Sequence, residues 1–581
     1  MAVTRRVRNM LGPAPSLPDP PPISIVMLNL DGRAHLKRLV PLLEAATDYP
    51  AIELVVVDNG SSDGSVEYLE QAPVSYPIRV ERNSENVSFS AGCNQGSARA
   101  SFDHLLFLNN DVEPFEPGWL TELVACLLRS RASAVGSTLL HGAGRPGEVA
   151  SGYLIQHQGV RFIRKGGHVT PINHLDAAAG LERLGTDVPS PAVTAACMLI
   201  ERATLERVGG FTPGFHYGYE DVDLGLKLLA DGGITVCSGR SVLFHHESAT
   251  RLATQELPDR RVMRVAHQRL LMKRWGPQLA RAYLRDRLEQ TGLWSERRGP
   301  EVALTSSSDH DSERRVRELG DALEENGWDV AHVERVGNGW GDLPAGTDVL
   351  VVTDPGYGAE LSSGMVVAAW ILGDVERWAR VPWLRRCDLL LAGTPESAES
   401  LEVMGRYALD FPKGDDPHAL ARELTEAVRD RNERWRFCLK LPRRTALGRA
   451  AKLAGALREE LERRGHLCKQ QLADEWDRLD GLTADVAISL DRSYVPTPAE
   501  LSVLLVQGAA DGDALDGRWD LVAVEDGPLA ERLSGLPPRP PLVALGLDGG
   551  NGIAPAVDRL LEALEHAADG AGFTASITAP A

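Results

Sequence analysis

The sequence is short of three things. Its seven cysteines (93, 126, 197, 237, 387, 438 and 468) are dispersed, odd in number and without a CxxC pair. That excludes a disulfide framework or a zinc ribbon and suits reduced thiols in a cytoplasm. No apolar run approaches the ~18 residues that a membrane-crossing helix needs. A charge-free stretch such as Val188–Ile200 is broken by two prolines. Positive charge is also scarce: 62 Lys and Arg stand against 81 Asp and Glu, for a net charge of −19. Nucleic-acid binding through bulk charge is thereby excluded, and a phosphorylated ligand would need a local device such as a metal ion.

Arg5, Arg6 and Arg8 precede a proline-rich run from Pro13 to Pro22. Without an apolar core this is not a signal peptide. Residues 1–22 read as a flexible arm. The expected location is the cytoplasm, with peripheral contact at the inner face of the membrane as a secondary reading.

Ordinary globular values make up the rest, 43% hydrophobic and 25% charged, and a chain of this length calls for two to four domains. Ile23-Ser-Ile-Val-Met-Leu, Ile52-Glu-Leu-Val-Val-Val and His104-Leu-Leu-Phe-Leu read as buried strands alternating with helices. Such alternation predicts a mostly parallel sheet with helices on both faces and ligands at the carboxyl ends of its strands. A helical extension rich in Arg, Leu and Gln follows over 257–298. Thr347-Asp-Val-Leu-Val-Val-Thr-Asp-Pro-Gly-Tyr357 then aligns without a gap with Ala484-Asp-Val-Ala-Ile-Ser-Leu-Asp-Arg-Ser-Tyr494, 137 positions later. The expected α/β architecture is one domain over 23–256, then two Rossmann-like domains facing each other over 299–432 and 433–575.

Several polar residues fall at strand ends. Asp58 opens Asp58-Asn-Gly-Ser-Ser-Asp-Gly-Ser, where a turn and cap role competes with hydrogen bonding to a base or ribose. Asn83, Asn86, Gly92 and Asn94 lie in a loop whose small residues permit close backbone approach. Asn109-Asn110-Asp111 follows an apolar strand as a D-x-D-like metal site with Asn first. Glu220, Asp221 and Asp223 gather three carboxylates after Phe215-His-Tyr-Gly-Tyr, and His245-His246-Glu-Ser ends a later strand. A divalent cation on oxygen ligands, a positioned carboxylate base and nucleotide-reading groups are what sugar transfer from a nucleoside diphosphate requires.

This ordered set, spanning Ile23 to Trp275, resembles the family 2 glycosyltransferases of GT-A fold, particularly their bacterial rhamnosyltransferase-like branch. The resemblance implies that Asp58 contacts the nucleobase, with Asn29 nearby. Asn86, Asn94 and Asn110 would contact the nucleotide sugar. Asp111, with His245, would hold Mg²⁺ or Mn²⁺. In Glu220-Asp221 the aspartate would be the general base. The implied reaction is an inverting hexosyl transfer from a nucleoside-diphosphate-sugar to a glycan or glycolipid. Asp374-Val-Glu-Arg-Trp-Ala-Arg-Val-Pro-Trp-Leu and Cys387-Asp-Leu-Leu-Leu-Ala-Gly-Thr resemble GT-B-type glycosyltransferases of the spore-maturation type, but without the E-x7-E donor signature or a Gly-rich phosphate loop. Residues from about Glu301 onward are accordingly expected to fold independently and to add no second transfer. The rival readings are a sugar nucleotidyltransferase, which would want a basic Gly-rich loop where Asn29-Leu-Asp-Gly-Arg stands, and a silent binding scaffold.

Overall fold

The computed structural model describes residues 11–571 except 14, 142–154, 166–167, 174–183, 217, 247–257, 296, 298, 307–308, 359–364, 382, 385–386, 404–408, 411–415, 444–446, 465, 474–484, 497–500, 507–518, 526–527, 530, 532–541 and 548–552. Residues 1–10 of the arm, Tyr217 and Glu247-Ser248 therefore lie outside the described residues. The chain divides into two compact units: residues 1–161 with 171–271, and 162–170 with 272–581. That division falls inside the expected helical extension.

In the first unit, β1 (Ile23–Asn29), β2 (Ile52–Asp58), β3 (Ile78–Arg82) and β4 (His104–Leu108) are parallel neighbours in the order β3-β2-β1-β4. Helix α1 (Arg33–Ala46) links β1 to β2 and buries Leu36, Leu39, Val40 and Leu43, the i, i+3, i+4, i+7 stripe of a core-facing helix. Short α2 (Ser65–Glu70) and then α3 (Phe89–Arg99) follow β2 and β3. Beyond β4 come β5 (Val112–Pro114), α4 (Trp119–Ser130), β6 (Ala134–His141), β7 (Ile155–His157), the β8 (Val160–Lys165) and β9 (His168–Asn173) pair, and β10 (Val188–Ser190). They are followed by β11 (Cys197–Glu201), α5 (Arg202–Arg207), α6 (Glu220–Ala230) and β12 (Thr235–His245).

The full order is β10-β12-β6-β11-β4-β1-β2-β3, and β11 is antiparallel to both of its neighbours. The sheet is thus mixed rather than mostly parallel. Among the described residues only short strands separate β6 from β11. Without a crossover helix, β11 re-enters the sheet from the end at which β6 leaves it.

Helix α7 (Pro258–Glu289) spans most of the expected extension. Its last turns belong to the second unit, which holds two six-stranded parallel sheets. The first contains β13 (Glu301–Thr305), α8 (His310–Glu325), β14 (Asp329–Val333), the small hairpin β15 (Arg335–Val336) and β16 (Gly339–Trp340), and β17 (Val349–Val352). It continues through β18 (Val366–Ile371), α9 (Val375–Ala379), β19 (Leu389–Ala392), α10 (Pro395–Val403), β20 (Leu409–Asp410) and α11 (Pro417–Glu433). The second contains β21 (Arg436–Leu441), α12 (Gly448–Arg463), β22 (Leu467–Leu472), β23 (Val486–Ser489), β24 (Leu501–Val506), β25 (Leu521–Val524), β26 (Leu542–Ala544) and α13 (Ala554–Ala571). Their orders, β14-β13-β17-β18-β19-β20 and β22-β21-β23-β24-β25-β26, are the same topology twice.

A fully buried ion cluster closes the first of these sheets. Asp348 accepts from Arg164 Nε at 2.9 Å and from the Glu301 amide at 3.0 Å, and Arg287 Nε, which donates to the Gly299 carbonyl, lies 3.2 Å away as a second countercharge. The Arg287 Nη1 donates to the Tyr283 hydroxyl at 3.0 Å. Arg164 and Arg287 both precede Glu301, so a fragment beginning near Gly299 leaves Asp348 without its countercharges. Replacing Asp348 by Ala strands two buried guanidinium groups. The expected loss is about 3–5 kcal/mol, read as a lower urea midpoint with an unchanged denaturant slope.

Candidate active site

The carboxyl ends of β1, β2 and β4 are joined by side chains. Parallel register sets Asn29 opposite Asp58, both 2% exposed. Asn29 Nδ2 donates to Asp58 Oδ1 at 2.9 Å and to Ser61 Oγ at 3.1 Å. The Ser61 amide and hydroxyl reach the same carboxylate at 2.9 and 2.6 Å. Asn110 Nδ2, just past β4, donates to Asn29 Oδ1 at 3.0 Å. Asp58 therefore fills the turn role and retains one or two acceptor sites for a ligand. The neighbouring loops are laced in the same way. Asp63 accepts from the Arg33 amide at 2.8 Å and from Ser65. Desolvation pushes the Asp63 carboxyl up, but the Ser65 and Arg33 hydrogen bonds outweigh it and hold the group below its ordinary range.

Asp111 follows Asn110 and meets the end of β12. His246 N donates to the Asp111 carbonyl at 2.9 Å, and His245 Nε2 stands 3.3 Å from Asp111 Oδ1. The other ring nitrogen, His245 Nδ1, lies 2.8 Å from Gln156 Oε1 on β7. An amide oxygen only accepts, so Nδ1 carries a proton. In a neutral ring the Nε2 lone pair then faces the carboxylate. Either an imidazolium or a cation between the two relieves that repulsion, so the pair fits a divalent metal. Among the described residues no group of three or more His, Cys, Asp or Glu side chains is suitably arranged. Water or a bound phosphate would supply the remaining ligands. Burial pushes the Asp111 carboxyl up, yet the nearby His245 and His35 bring it below its ordinary value.

Asp221 opens α6, launched by Gly218 and Tyr219 with φ of 88° and 73°. A bulky residue with positive φ is rare, and such strain concentrates at functional positions. The Asp221 carboxylate accepts from the Thr194 hydroxyl and from the amides of Ala195 and Val222, the last at 2.8 Å. Burial still raises its pKa above the ordinary aspartate value of 3.8. The next residue in that turn, Ala196, accepts from the Asn109 amide at 3.0 Å. Asp221 is thus tied through one short turn to the Asn109-Asn110-Asp111 strand end. Glu220 lies near Cys93, whose thiol is raised by burial and by that negative charge. The third carboxylate, Asp223, is internal, accepting from Thr212 Oγ1 at 2.6 Å.

Asn94 and Gly92 have internal partners. Asn94 gives Nδ2 to the Phe211 carbonyl at 2.8 Å and takes the Phe211 amide on Oδ1 at 2.9 Å. It clamps α3 to the segment before α6. A Cβ on Gly92 would meet Leu28 Cδ2 at 2.7 Å, so this glycine serves helix–strand packing. Asn86 is exposed, and its Oδ1 lies 3.3 Å from Asn59 Nδ2. A separate cavity of about 320 Å³, lined by Arg202, Leu105 and Gly210, lies at the opposite end of β4 from Asp111. Its arginine is committed to the Ser97, Ala100 and Phe102 carbonyls.

Sequence reasoning missed Gly32, Ser61, His35, Gln156, His157 and Thr194. Only Ser61 and Gly32 carried a local signal, in the two strand-end turns. His157 accepts from the Thr194 amide at 3.2 Å and so supports the turn that holds Asp221.

Residues 24–180 match the family described as Glycosyl transferase family 2. A family 2 glycosyltransferase domain therefore lies in the N-terminal region, and the chain carries a transferase domain. Among similar proteins, the O-antigen biosynthesis protein RfbC of Myxococcus xanthus is 33% identical over 245 residues, 40% of this chain and 18% of that protein. An uncharacterized protein of Sinorhizobium fredii is 33% identical over 262 residues, covering 44% and 28%. The chain thus spans less than a third of either relative. The N-acetylglucosaminyl-diphospho-decaprenol L-rhamnosyltransferase of Mycobacterium tuberculosis is 27% identical over 245 residues, 39% of this chain and 76% of that one. A solved mannosyltransferase from Pyrobaculum calidifontis, in complex with GDP-Man and Mn²⁺, gives 18% identity, 49% and 71% coverage and a TM-score of 0.32. A score that low supports no conclusion about ligands.

Within the family 2 domain, a Cβ on Gly32 would come within 2.3 Å of Asn29 Oδ1 and 2.4 Å of Asn110 Nδ2. Gly32→Ala should cost about 1–3 kcal/mol of this unit's stability, the usual range for overpacking. Adding Asn110→Ala removes one of the two clashes. The double variant should therefore be less destabilised in urea than the sum of the singles.

Proposed function

We propose that the first unit catalyses an inverting, divalent-metal-dependent transfer of a hexose-type sugar from a nucleoside-diphosphate-sugar to a glycan or glycolipid. One observation carries the proposal. The Thr194–Ala196 turn holds the Asp221 carboxylate at one end and the Asn109 amide at the other, two residues before Asp111. A candidate base and a candidate metal pair thus share one sheet edge.

In this reading Asp58 and Asn29 contact the base or ribose, and Asn110 the donor. Asn86 can join through movement of its exposed loop. Asp111 and His245 would hold Mg²⁺ or Mn²⁺, which when bound neutralises charge on the diphosphate. Asp221 takes the proton from the acceptor hydroxyl, whose oxygen forms a bond to the anomeric carbon. The bond from that carbon to the diphosphate breaks on the opposite side, and its electron pair leaves with the nucleoside diphosphate. Glu220, its neighbour in the same turn, shares the catalytic assignment.

The catalytic domain is assigned to 23–256 and the extension to 257–298. Residues 299–432 and 433–575 form a GT-B-like pair that handles acceptor rather than chemistry, supported by their shared strand order and the missing donor signatures. Cytoplasmic action near a membrane belongs to the same reading. No described helix is long and apolar enough to cross a membrane.

Asp221→Asn should lower kcat by roughly 10²–10⁴-fold while leaving donor binding nearly unchanged. Asp111→Asn should weaken donor and Mn²⁺ binding together. Near-wild-type turnover by Asp221→Asn would falsify the assignment of the base. Because burial favours the protonated form of Asp221, kcat/KM should fall as pH drops through a pKa above 3.8. A pH profile flat down to the ordinary aspartate range would contradict that role.

A further inference from the structure

Two strands share one side of β6. β11 pairs with Ala134, Val135 and Gly136, and β7 takes over that side at Leu139 and Leu140. The Thr194–Ala196 turn directly precedes β11, so it lies where one strand gives way to the other. On the opposite side of β6 runs β12, which ends with His245 beside His141. β7 therefore stands between the turn that holds Asp221 and the strand that carries His245.

The β6–β7 register contains one extra residue. His157 faces Leu139 and Ile155 faces Leu140, so β7 advances two residues where β6 advances one. The extra residue is Gln156. Such a bulge bends its strand and re-aims the inserted side chain, and bulges recur beside active sites. Gln156, 4% exposed, brings its Oε1 to 2.8 Å from His245 Nδ1. His157, 1% exposed, accepts from the Thr194 amide on Nε2 at 3.2 Å.

The two contacts fix different things. An amide oxygen only accepts, so Gln156 keeps the His245 proton on Nδ1 and leaves the Nε2 lone pair for a cation. Without that acceptor, a neutral ring can carry its proton on Nε2, where Asp111 Oδ1 at 3.3 Å would accept it. The pair would then be closed to a metal. His157 works on the other group. The Thr194 hydroxyl and the Ala195 amide both donate to Asp221, and hydrogen bonds of that kind favour the carboxylate. Holding the Thr194 amide fixes where both donors point.

We infer that the β7 bulge positions both groups, Gln156 presenting His245 to the metal and His157 holding the donors that face the Asp221 carboxylate. The inference rests on the metal-dependent transfer proposed above and deepens it by assigning two positioning residues with separate effects.

The test uses the full-length protein and two readouts. Binding of Mn²⁺ alone, followed by the EPR signal of the free ion, should weaken about 10–100-fold in Gln156→Met and change little in His157→Leu. The pH profile of nucleoside diphosphate release from UDP-N-acetylglucosamine, GDP-mannose and dTDP-rhamnose should respond the other way. In His157→Leu the acidic limb of kcat/KM should move up by about one pH unit, because the loosened hydrogen bonds had favoured the carboxylate. In Gln156→Met that limb should stay in place. His157→Gln, whose amide oxygen reaches as far as Nε2, should restore the wild-type limb, and the shorter His157→Asn should not. Should His157→Leu fail to fold, the comparison of those two variants decides. Asp111→Asn and Asp221→Asn separate this inference from the reading beneath it. If Asp111→Asn leaves Mn²⁺ binding unchanged and Asp221→Asn leaves turnover unchanged, the proposed function falls and this inference with it. If both act as expected while Gln156→Met and His157→Leu match wild type, the inference alone is overturned. Equal loss of both readouts in each β7 variant also overturns it, since a merely structural strand would give that result.

Discussion

Asn29 sits where three strand ends meet, and much of the first unit's edge depends on its amide. A side-chain amide can donate and accept at once. Asn29 uses this to hold Asp58 and Ser61 with its nitrogen and Asn110 with its oxygen. The underlying constraint is that buried polar groups at strand ends must be satisfied. Satisfying them through neighbouring strands orders the turns after β1 and β2 together. Gly32 belongs to the same arrangement, because the amide pair occupies the space a side chain would take.

Two carboxylates near this edge are driven in opposite directions. Asp111 is held in its ionised form by His245 and His35 despite burial, whereas burial keeps Asp221 above its ordinary value despite three hydrogen bonds. Groups whose environments push their pKa values apart are suited to separate tasks, one to a cation and one to a proton. The backbone makes this separation possible. Asp111 stands beside the antiparallel β5–β12 pair, while Asp221 begins a helix after a strained turn.

The second unit has two ways of treating a buried charge. Asp348 is enclosed by two arginines and a main-chain amide and works as a structural fastener. Lys440, 6% exposed, finds an amide and a ring face as partners among the described residues. Each buried charge is tolerated through the partners that it finds. In the first unit, Asp223 is fully buried beside Thr212, whereas Asp221 two residues earlier is only partly buried.

Local patterns in the sequence were enough to locate several strands and helices, because hydrophobic period and turn chemistry act over a few residues. Strands β1, β2 and β4 and the carboxyl-end positions of Asn29, Asp58 and Asp111 were legible in this way. So was the doubled strand pattern of the second half, since core-building residues recur at a constant offset. The antiparallel β11 was not legible, because strand direction is set by how the chain returns to the sheet. Nor were the partners Thr194, Gln156 and His157, which lie 27, 89 and 64 residues from Asp221, His245 and Asp221 respectively. Asn94 and Gly92 matched a motif by residue type, yet packing gave them to Phe211 and Leu28. Residue type and spacing determined which side chains could do the chemistry. Only tertiary structure decided which of them were already committed, because a hydrogen bond or a van der Waals contact belongs to neighbours in space.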